Sequence, residues 1–439
     1  MADTPTTDSG YCYDKKQLNG DRIRMGLGTI LHQSEESGIG PIPTVIVKTL
    51  GGDDRHLGFM GALGGLTGIG AVFANVFLKW KKSNRNAMSI SMLIGAIIAA
   101  SIGVILLQGY HPERFPIILK LYLPLLLIFS LVCGMQNGIE ANWVGDLVPE
   151  KMRGWFMKIK WVLSIIGTLV FSIVFARFSD AFPTFGGYAT IYFVFSISFL
   201  VASFIVYSKV TDRVPATLNY VSAGASHKDR VNYKEKILWY MIGWSITFSG
   251  GRGILGAFTA VYLLDYFHYS LTKIAMLTSI QTIMSMLVVY IIGDHTDRWG
   301  PRRPLIIAQF IVGLSMFLWV GSAFWGVKCI IIYMVLNGVA GHTLSFLGGN
   351  FILEVYPKKG RAAYMGAMRM IANPTIFILV AISGWLAHAF NGFEVTIFGT
   401  LLNRYHLIFT FATLFTLSCQ IFLFLIGSKR IQSIEEKGE

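Results

Sequence analysis

Charged residues are scarce in this chain. Lys, Arg, Asp and Glu make up 14% of its 439 residues, while 54% are hydrophobic. A soluble domain normally carries about 25% charged residues. Such a deficit is typical of a protein whose solvent is largely a lipid bilayer.

Cysteine and catalytic motifs are also scarce. The four cysteines, Cys12, Cys133, Cys329 and Cys419, show no paired spacing, and three of them lie in apolar segments. This indicates small core residues, not disulfides or metal ligands. The sequence has no G-x-S-x-G elbow, no phosphate-binding G-x-x-x-x-G-K-[ST] and no H-E-x-x-H. We therefore expect no enzyme activity, no cofactor and no metal.

Long apolar stretches recur between short polar breaks, and each is long enough to cross roughly 30 Å of hydrocarbon as a helix. They predict an all-α polytopic membrane protein with twelve spans, of which the first, fourth, seventh and tenth are the least hydrophobic. The predicted spans are 24–50, 57–79, 87–108, 115–146, 154–177, 187–208, 236–265, 271–293, 304–325, 329–355, 362–389 and 404–427.

The net charge of +13 is unevenly distributed. Lys and Arg concentrate in the tails and in alternate loops, whereas the opposite loops hold few. Because cytoplasmic loops carry the excess of Lys and Arg, both termini are predicted to be cytoplasmic, in a cell (inner) membrane. The first twenty residues contain no apolar run, so no cleavable signal peptide is expected. The positive charge thus indicates topology, and no nucleic-acid partner is expected.

The chain repeats itself. "NWVGDLVPEKMRG" begins at Asn142 and "NFILEVYPKKGRA" at Asn350, and each stretch ends one predicted span and starts the next. This predicts two pseudo-symmetric halves of six helices, with a solute site midway through the membrane between them. The predicted parts are a disordered cytoplasmic tail 1–20, an N-terminal half 21–208, a cytoplasmic linker 209–235, a C-terminal half 236–428 and a cytoplasmic tail 429–439.

The loop after the eighth span, "GDHTDRWGPRRPL" at 293–305, resembles the G-x-x-x-D-R-x-G-[RK]-[RK] signature of the major facilitator superfamily. Pro301 departs from it. The matching first-half loop, "ANVFLKWKKSNRN", is degenerate, with Leu78 where the signature has Asp. The resemblance covers about 21–430. It implies that superfamily's fold and transport by alternating access, by a protein that we expect to be monomeric.

The first span contains charged side chains where they are costly. A carboxylate at mid-bilayer costs at least about 2.5 kcal/mol on insertion scales, and Glu36 lies roughly 18 Å along the span. His32 shares a face with Glu36, whereas Glu35 points elsewhere. These three residues are the predicted proton-coupling site. The alternative is a static pair between helices.

Polar side chains in other spans predict a substrate site, because a polar solute needs hydrogen bonds and an apolar surface to stack on. Arg252 in the seventh span suits a carboxylate or phosphate. For any one of these residues, a hydrogen bond between helices is an equal alternative. Lys158 and Lys160 are predicted to extend towards the cytoplasmic surface. The predicted substrate-binding residues are Gln136, Asn137, Glu140, Arg252, Asn337, His342 and Arg369.

The resemblance also implies a latch at the cytoplasmic side. Asp297 is expected near the start of the fifth span, around Arg153, and Arg298 or Arg302 is expected to meet Glu354. Asp146 occupies the place of Glu354 in the first half, but Leu78 leaves that copy of the latch weak.

These observations favour a secondary active transporter of a small polar solute, by first preference sugar-like and with proton symport. The expected partners are the solute, protons and lipid. One alternative is a carrier that binds a carboxylate- or phosphate-bearing anion through Arg252. The other is a non-transporting sensor or assembly protein on the same fold.

Overall fold

Helices make up nearly all of the described chain. The computed structural model describes residues 15–38, 41–148, 150–212, 231–292, 302–356 and 361–426. Residues 419–426 continue the last helix beyond Leu417. The helices are α1 Lys15–Gly38, α2 Pro41–Thr49, α3 Asp54–Lys81, α4 Asn84–Leu107, α5 Phe115–Leu147, α6 Glu150–Ala181, α7 Phe185–Val201, α8 Lys236–Asp265, α9 Leu271–Ile292, α10 Arg302–Ser315, α11 Phe317–Trp325, α12 Val327–Val355, α13 Arg361–Ala389 and α14 Arg404–Leu417.

Short turns complete the helical segments. Three are 3₁₀ turns, Gln108–Tyr110, Pro112–Arg114 and Tyr207–Lys209, and one is a π turn, Ala202–Val206. Two short strands, β1 Glu394–Ile397 and β2 Thr400–Asn403, form an antiparallel hairpin between α13 and α14. The sequence analysis did not predict this hairpin.

Each predicted span falls on one helix or on two consecutive helices. Within the described residues, nine helical segments are long and apolar enough to cross a membrane. The first, seventh and tenth predicted spans are not among the nine, in line with their low predicted hydrophobicity. The prediction is wrong for the fourth span, because the segment Pro112–Val144 reaches a mean hydropathy of 2.3. The chain is thus a multi-pass, helical membrane protein. Its first helix begins at Lys15, inside the predicted tail. The three cysteines within the described residues are buried, as predicted for small core residues.

The chain forms two compact units. Unit 1 comprises Met1–Ile46 and Thr67–Ala225, and unit 2 comprises Val47–Leu66 and Ser226–Glu439. This division differs from the predicted halves in one segment, because Val47–Leu66 groups with the C-terminal residues. The predicted bounds of the tails, halves and linker otherwise stay predictions.

Unit 1 is built on close contacts between its helices. Helix α4 packs on α5 and α7, and α1 packs on α6. The rings of Phe129 and Phe199 stack at 5.9 Å between α5 and α7. A Cβ on Gly134 would lie 2.0 Å from the backbone oxygen of Thr67, so only glycine allows α3 and α5 to approach this closely.

In unit 2, α8 packs on α13 and α14, and α12 packs on α9, α10 and α11. One core cluster contains buried side chains from α8, α10, α12 and α13, among them Trp244, Val312, Phe351 and Met368. The segment Val47–Leu66 packs onto these helices through small residues. A Cβ on Gly58 would lie 2.4 Å from the Cα of Gly384.

Candidate functional site

A buried polar cluster lies inside unit 1, where α1, α4, α5 and α6 meet. It brings together His32, predicted for proton coupling, with Gln136 and Glu140, predicted for substrate binding. All three are at most 4% exposed. We call this group the Glu140 cluster, and its members are Thr29, His32, Ser91, Gln136, Glu140 and Lys160.

Helical spacing places these side chains on common faces. Thr29 and His32 are three residues apart on α1, and Gln136 and Glu140 are four apart on α5. Residues at these spacings are neighbours on a helix surface. Asn137, one residue beyond Gln136, is turned away from the cluster and is exposed.

Glu140 has a partner on each carboxylate oxygen. The hydroxyl of Thr29 lies 3.0 Å from Oε1, and Nζ of Lys160 lies 2.7 Å from Oε2. The hydroxyl of Thr29 also lies 2.8 Å from the backbone oxygen of Met25. A hydroxyl has one proton to donate, so Thr29 donates to either Met25 or Glu140 at one time. It can therefore donate to an ionised Glu140 or accept from a protonated one.

The other half of the cluster is a chain of hydrogen bonds. Nε2 of His32 lies 2.9 Å from Oε1 of Gln136, and Nε2 of Gln136 donates to the backbone oxygen of Ser91 at 2.9 Å. The ring of His32 also lies 5.9 Å from that of Phe199. The Gln136 side chain thus joins α1 to α4 through α5.

The prediction that Lys160 extends towards the membrane surface is wrong. Its side chain is 15% exposed and pairs with Glu140 inside the unit. Lys160 lies ten residues after the start of α6 at Glu150, roughly 15 Å along the helix. That depth is beyond easy reach of water, so an internal carboxylate is the better partner.

Unit 2 holds a second polar site around Arg252 and Asn337. A Cβ on Gly341 would lie 3.0 Å from Oδ1 of Asn337 and 3.5 Å from an NH2 nitrogen of Arg252, so both groups border the same glycine. The guanidinium of Arg252 lies over the ring of Phe248 at 5.4 Å. Asn337 is 3% exposed, and its Oδ1 has no hydrogen-bond partner within the part of the chain that the structure describes. A buried acceptor beside a guanidinium is suited to binding a polar ligand.

Charged residues at the ends of several helices of unit 2 form a third group, the Asp54 network. Its members are Lys48, Asp53, Asp54, Arg55, His56, Asp265, His388 and Arg404. Nε of Arg404 lies 3.1 Å from Oδ2 of Asp54, and Lys48 pairs with Asp265. The network therefore ties the segment Val47–Leu66 to the ends of α8, α13 and α14.

Asp53 lies in the turn before α3, and its carboxylate contacts three basic side chains. Nε of Arg55 donates to it at 2.7 Å, Nδ1 of His56 lies 2.7 Å away, and Nδ1 of His388 lies 3.6 Å away. Burial raises the pKa of the Asp53 carboxyl, but hydrogen bonds from Arg55 and His56 outweigh it and lower the pKa well below its ordinary value. Asp53 is therefore a permanent negative charge at physiological pH.

Sequence reasoning missed this network, although its charges were visible. Arg55 and Arg404 fall in the loops that hold few Lys and Arg, and no role was predicted for them. Asp54 and Asp265 stand at opposite ends of their helices, α3 and α8. A search for opposite charges at span ends on the same side of the membrane would have found them.

Other predicted site residues have different outcomes. Arg369 is exposed on α13, and Oδ2 of Asp146 accepts a hydrogen bond from Asn84 at 2.8 Å. Asp297 and Arg298 lie outside the described residues. For six further predicted site residues the structure describes the helical backbone but not the side chain: Glu35, Glu36, Arg153, Arg302, His342 and Glu354. No group of three metal-ligating side chains occurs within the described residues.

Comparison with protein families matches residues 241–438 to the model of the Major Facilitator Superfamily. No curated protein sequence matches the chain. The match covers the part of the chain that carries the predicted signature loop and the Arg252 site.

Solved transporter structures share the fold along nearly the whole chain. The nucleoside transporter NupG (D323A mutant) has a TM-score of 0.68 at 14% identity, covering 92% of this chain and 99% of that one. A POT family transporter in complex with 5-aminolevulinic acid has a TM-score of 0.67 at 16% identity, with 92% and 96% covered. The xylose transporter XylE from E. coli, in an inward open conformation, has a TM-score of 0.62 at 13% identity, with 91% and 95% covered.

Proposed function

We propose that the chain is a member of the major facilitator superfamily, whose model matches residues 241–438, and that it is a proton-coupled secondary transporter of a small polar solute. It works by alternating access in a cell membrane, with both termini in the cytoplasm. The family and the fold are those of transporters, which are not enzymes. The proposal therefore concerns which residues hold the proton and which hold the solute.

The Glu140 cluster carries the proton part of the proposal. A buried ion pair inside a membrane-spanning bundle is expensive, and its members are usually functional. Thr29 can be a hydrogen-bond partner to Glu140 in both protonation states, because its hydroxyl also reaches the backbone oxygen of Met25. Protonation of Glu140 would deprive Lys160 of its counter-charge, which favours a rearrangement of α6 against α5. Glu36 and Glu35 remain further candidates for the same role.

The Arg252 site carries the solute part. Oδ1 of Asn337, which has no hydrogen-bond partner among the described residues, and the nearby guanidinium of Arg252 offer an acceptor and a donor group to one ligand. Two of the similar structures are described as a nucleoside transporter and a xylose transporter, and both of these solutes carry a sugar ring rich in hydroxyls. A sugar-like moiety is therefore our first choice of substrate. An anionic solute is the second choice, since Arg252 suits a carboxylate.

The Asp54 network supplies a gate in this proposal. With the termini in the cytoplasm, the turn that holds Asp53 lies at the external side. The ion pairs would hold the external ends of the first two spans against those of the seventh, eleventh and twelfth, and would open when the carrier faces outward. The cytoplasmic latch of Asp297, Arg298, Arg302, Glu354, Asp146 and Arg153 stays a prediction for the other side.

Uptake into proteoliposomes tests this function. Purified protein would be offered a labelled pentose, a nucleoside and a dipeptide, with an inward proton gradient. We expect uphill accumulation of at least one solute, with Glu140→Gln losing that accumulation but keeping counterflow exchange. Glu113→Gln is the matched control, because that carboxylate is 69% exposed in a loop.

Two results would contradict the proposal. Uphill accumulation by Glu140→Gln would exclude Glu140 as the coupling group and leave Glu36 and Glu35. Binding of a solute in a thermal-shift panel, without uptake of that solute under any gradient, would favour the non-transporting sensor.

A further inference from the structure

The hairpin between α13 and α14 exposes apolar side chains to an unusual degree. Its strands contain one charged residue, Glu394, at the base. Val395, Ile397 and Leu401 are 40%, 41% and 46% exposed. An isolated two-stranded hairpin is marginally stable in water, and exposed apolar patches usually mark a contact surface.

The turn of this hairpin contains a residue that the turn itself disfavours. Phe398 and Gly399 both have positive φ, +50° and +76°, as a type I′ turn requires. Such turns prefer Asn or Asp at the first position, and a bulky residue there is a strained outlier. Phe398 is also 96% exposed. Neither its conformation nor its exposure favours phenylalanine in an aqueous turn.

The hairpin has an apolar face. The register pairs Val395 with Leu402 and Ile397 with Thr400, so these four residues share one side. Glu394, Thr396 and Asn403 lie on the other side, together with Leu401. Each strand of this amphipathic hairpin is only four residues long, and Phe398 stands at its tip.

The helices beside the hairpin indicate which environment it meets. β2 lies against α11 and against the start of α14. Both helices belong to apolar spans and carry exposed large side chains, including Trp325 at 70% and Leu414 at 57%. Apolar residues exposed on a membrane span face lipid. The hairpin therefore continues a lipid-facing surface beyond the helix ends.

We propose that this hairpin is a membrane-interface anchor, whose tip, Phe398, inserts at the boundary between lipid headgroups and acyl chains. The hairpin starts five residues after α13 ends at Ala389, and α14 begins directly after it, so it cannot extend far from the bilayer. Aromatic residues are enriched at this depth. Phe390 and Phe393, in edge contact at 6.0 Å, lie in the same connection. Burying a phenylalanine side chain in an apolar environment is favourable and offsets the strain of the turn.

Site-directed spin labelling of the full chain in liposomes tests the proposal. Labels would be placed through Ile397→Cys, Phe398→Cys and Leu401→Cys in a Cys12→Ser background, since the cysteines at 133, 329 and 419 are buried. The vesicles would contain phosphatidylcholine and phosphatidylglycerol. Collision rates with oxygen and with a water-soluble nickel chelate report the depth of each label. Leu414→Cys is the lipid-facing control, and Glu113→Cys is the water-facing control.

We expect the ratio of oxygen to nickel collisions at the tip to be severalfold higher than at Glu113→Cys and to approach that at Leu414→Cys. Phe398→Asn supplies the residue that the turn prefers, so it should preserve folding yet move a label at Ile397→Cys towards water. Phe398→Trp should keep that label in lipid. Water-exposed labels at all three tip positions would overturn the proposal and leave a protein partner as the occupant of this face. An unchanged depth in Phe398→Asn would show that Phe398 is not the anchor.

Discussion

Nζ of Lys160 lies 2.7 Å from Oε2 of Glu140, in the interior of unit 1, where the two side chains are 15% and 4% exposed. The pair joins α6 to α5, and Thr29 of α1 completes it at 3.0 Å. Both partners were visible in the sequence, but neither was predicted to meet the other. Their burial makes the pair a sensitive point for both stability and transport.

Removing one partner of this pair should be more harmful than removing both. Lys160→Met leaves an uncompensated buried carboxylate and should lower the free energy of unfolding by about 3–5 kcal/mol. Lys160→Met combined with Glu140→Gln should recover most of that loss, because no charge then remains buried. Thermal unfolding in detergent measures both. A double-mutant cycle with no coupling would show that the two charges do not interact.

Arg252 should affect solute binding and not proton coupling. Arg252→Gln keeps polarity but removes the charge beside Asn337, and we expect KM to rise roughly tenfold or more, as for loss of a charge-assisted hydrogen bond. Asn337→Ala should raise KM as well, since its Oδ1 is the nearby buried acceptor. Concentration-dependent uptake measures KM. Arg369→Gln is the comparison, because Arg369 is exposed and its predicted role in substrate binding is untested. An equal effect there would favour an anion that both arginines bind.

The positions of the spans could be predicted from the sequence, because the length and composition of apolar segments determine where helices cross a bilayer. The pairing between side chains of different spans could not be predicted from the sequence. Glu140 and Lys160 are twenty residues apart across a loop, and no local pattern states that α5 and α6 turn these faces towards each other.

The hairpin was missed for a different reason. "EVTIFGTLL" has the alternation and the glycine of a β-hairpin, but Phe398 stands where Asn or Asp would mark the turn. A membrane surface permits an exposed phenylalanine that water would disfavour. The Asn or Asp that usually marks such a turn in a sequence is therefore absent. The segment Val47–Leu66 lies in the N-terminal half that the repeat predicts, and its contacts through Gly58 and Asp54 are with residues of unit 2.

Burial should decide which ion pair of the Asp54 network matters more. Asp54 and Arg404 are 8% and 23% exposed, whereas Lys48 and Asp265 are 34% and 37% exposed. Water screens the second pair more, so its coupling should stay below about 1 kcal/mol. The coupling of the first pair should exceed that, within the 0.5–3 kcal/mol that interacting residues show. One double-mutant cycle with Asp54→Asn and Arg404→Gln, and another with Lys48→Gln and Asp265→Asn, measure the two coupling energies. A larger coupling energy for the Lys48–Asp265 pair would contradict a role for burial.

Asp53 should stabilise the fold only while it is ionised. Its pKa is lowered in the folded protein, so its contribution is fully present above the unfolded value of about 3.9 and is lost as the pH falls below that value. The difference in melting temperature between the wild type and Asp53→Asn should therefore shrink as the pH falls from about 5 to 3. A difference that is constant down to pH 3 would mean that ionisation of Asp53 is irrelevant.

Gly58 should tolerate no side chain at all. A Cβ there would lie 2.4 Å from the Cα and 2.7 Å from the backbone nitrogen of Gly384, and neither backbone atom can move aside. Gly58→Ala should therefore push α3 away from α13 and cost about 1–3 kcal/mol, as overpacking does. The ion pairs of Asp54 at the same helix end would be strained by the same displacement.

Gly64→Ala is the matched control for this substitution, because Gly64 lies in the same helix and a Cβ on it would meet no atom within 4 Å beyond the adjacent backbone of that helix. Alanine has the higher helix propensity, so Gly64→Ala should leave the protein unchanged or slightly more stable. Thermal unfolding in detergent, together with crosslinking of Gly58→Cys to Gly384→Cys, measures the two effects. Equal stability of Gly58→Ala and Gly64→Ala would show that the backbones do not approach as the structure has them. In that case the Asp54 network would have to hold the segment without help from packing.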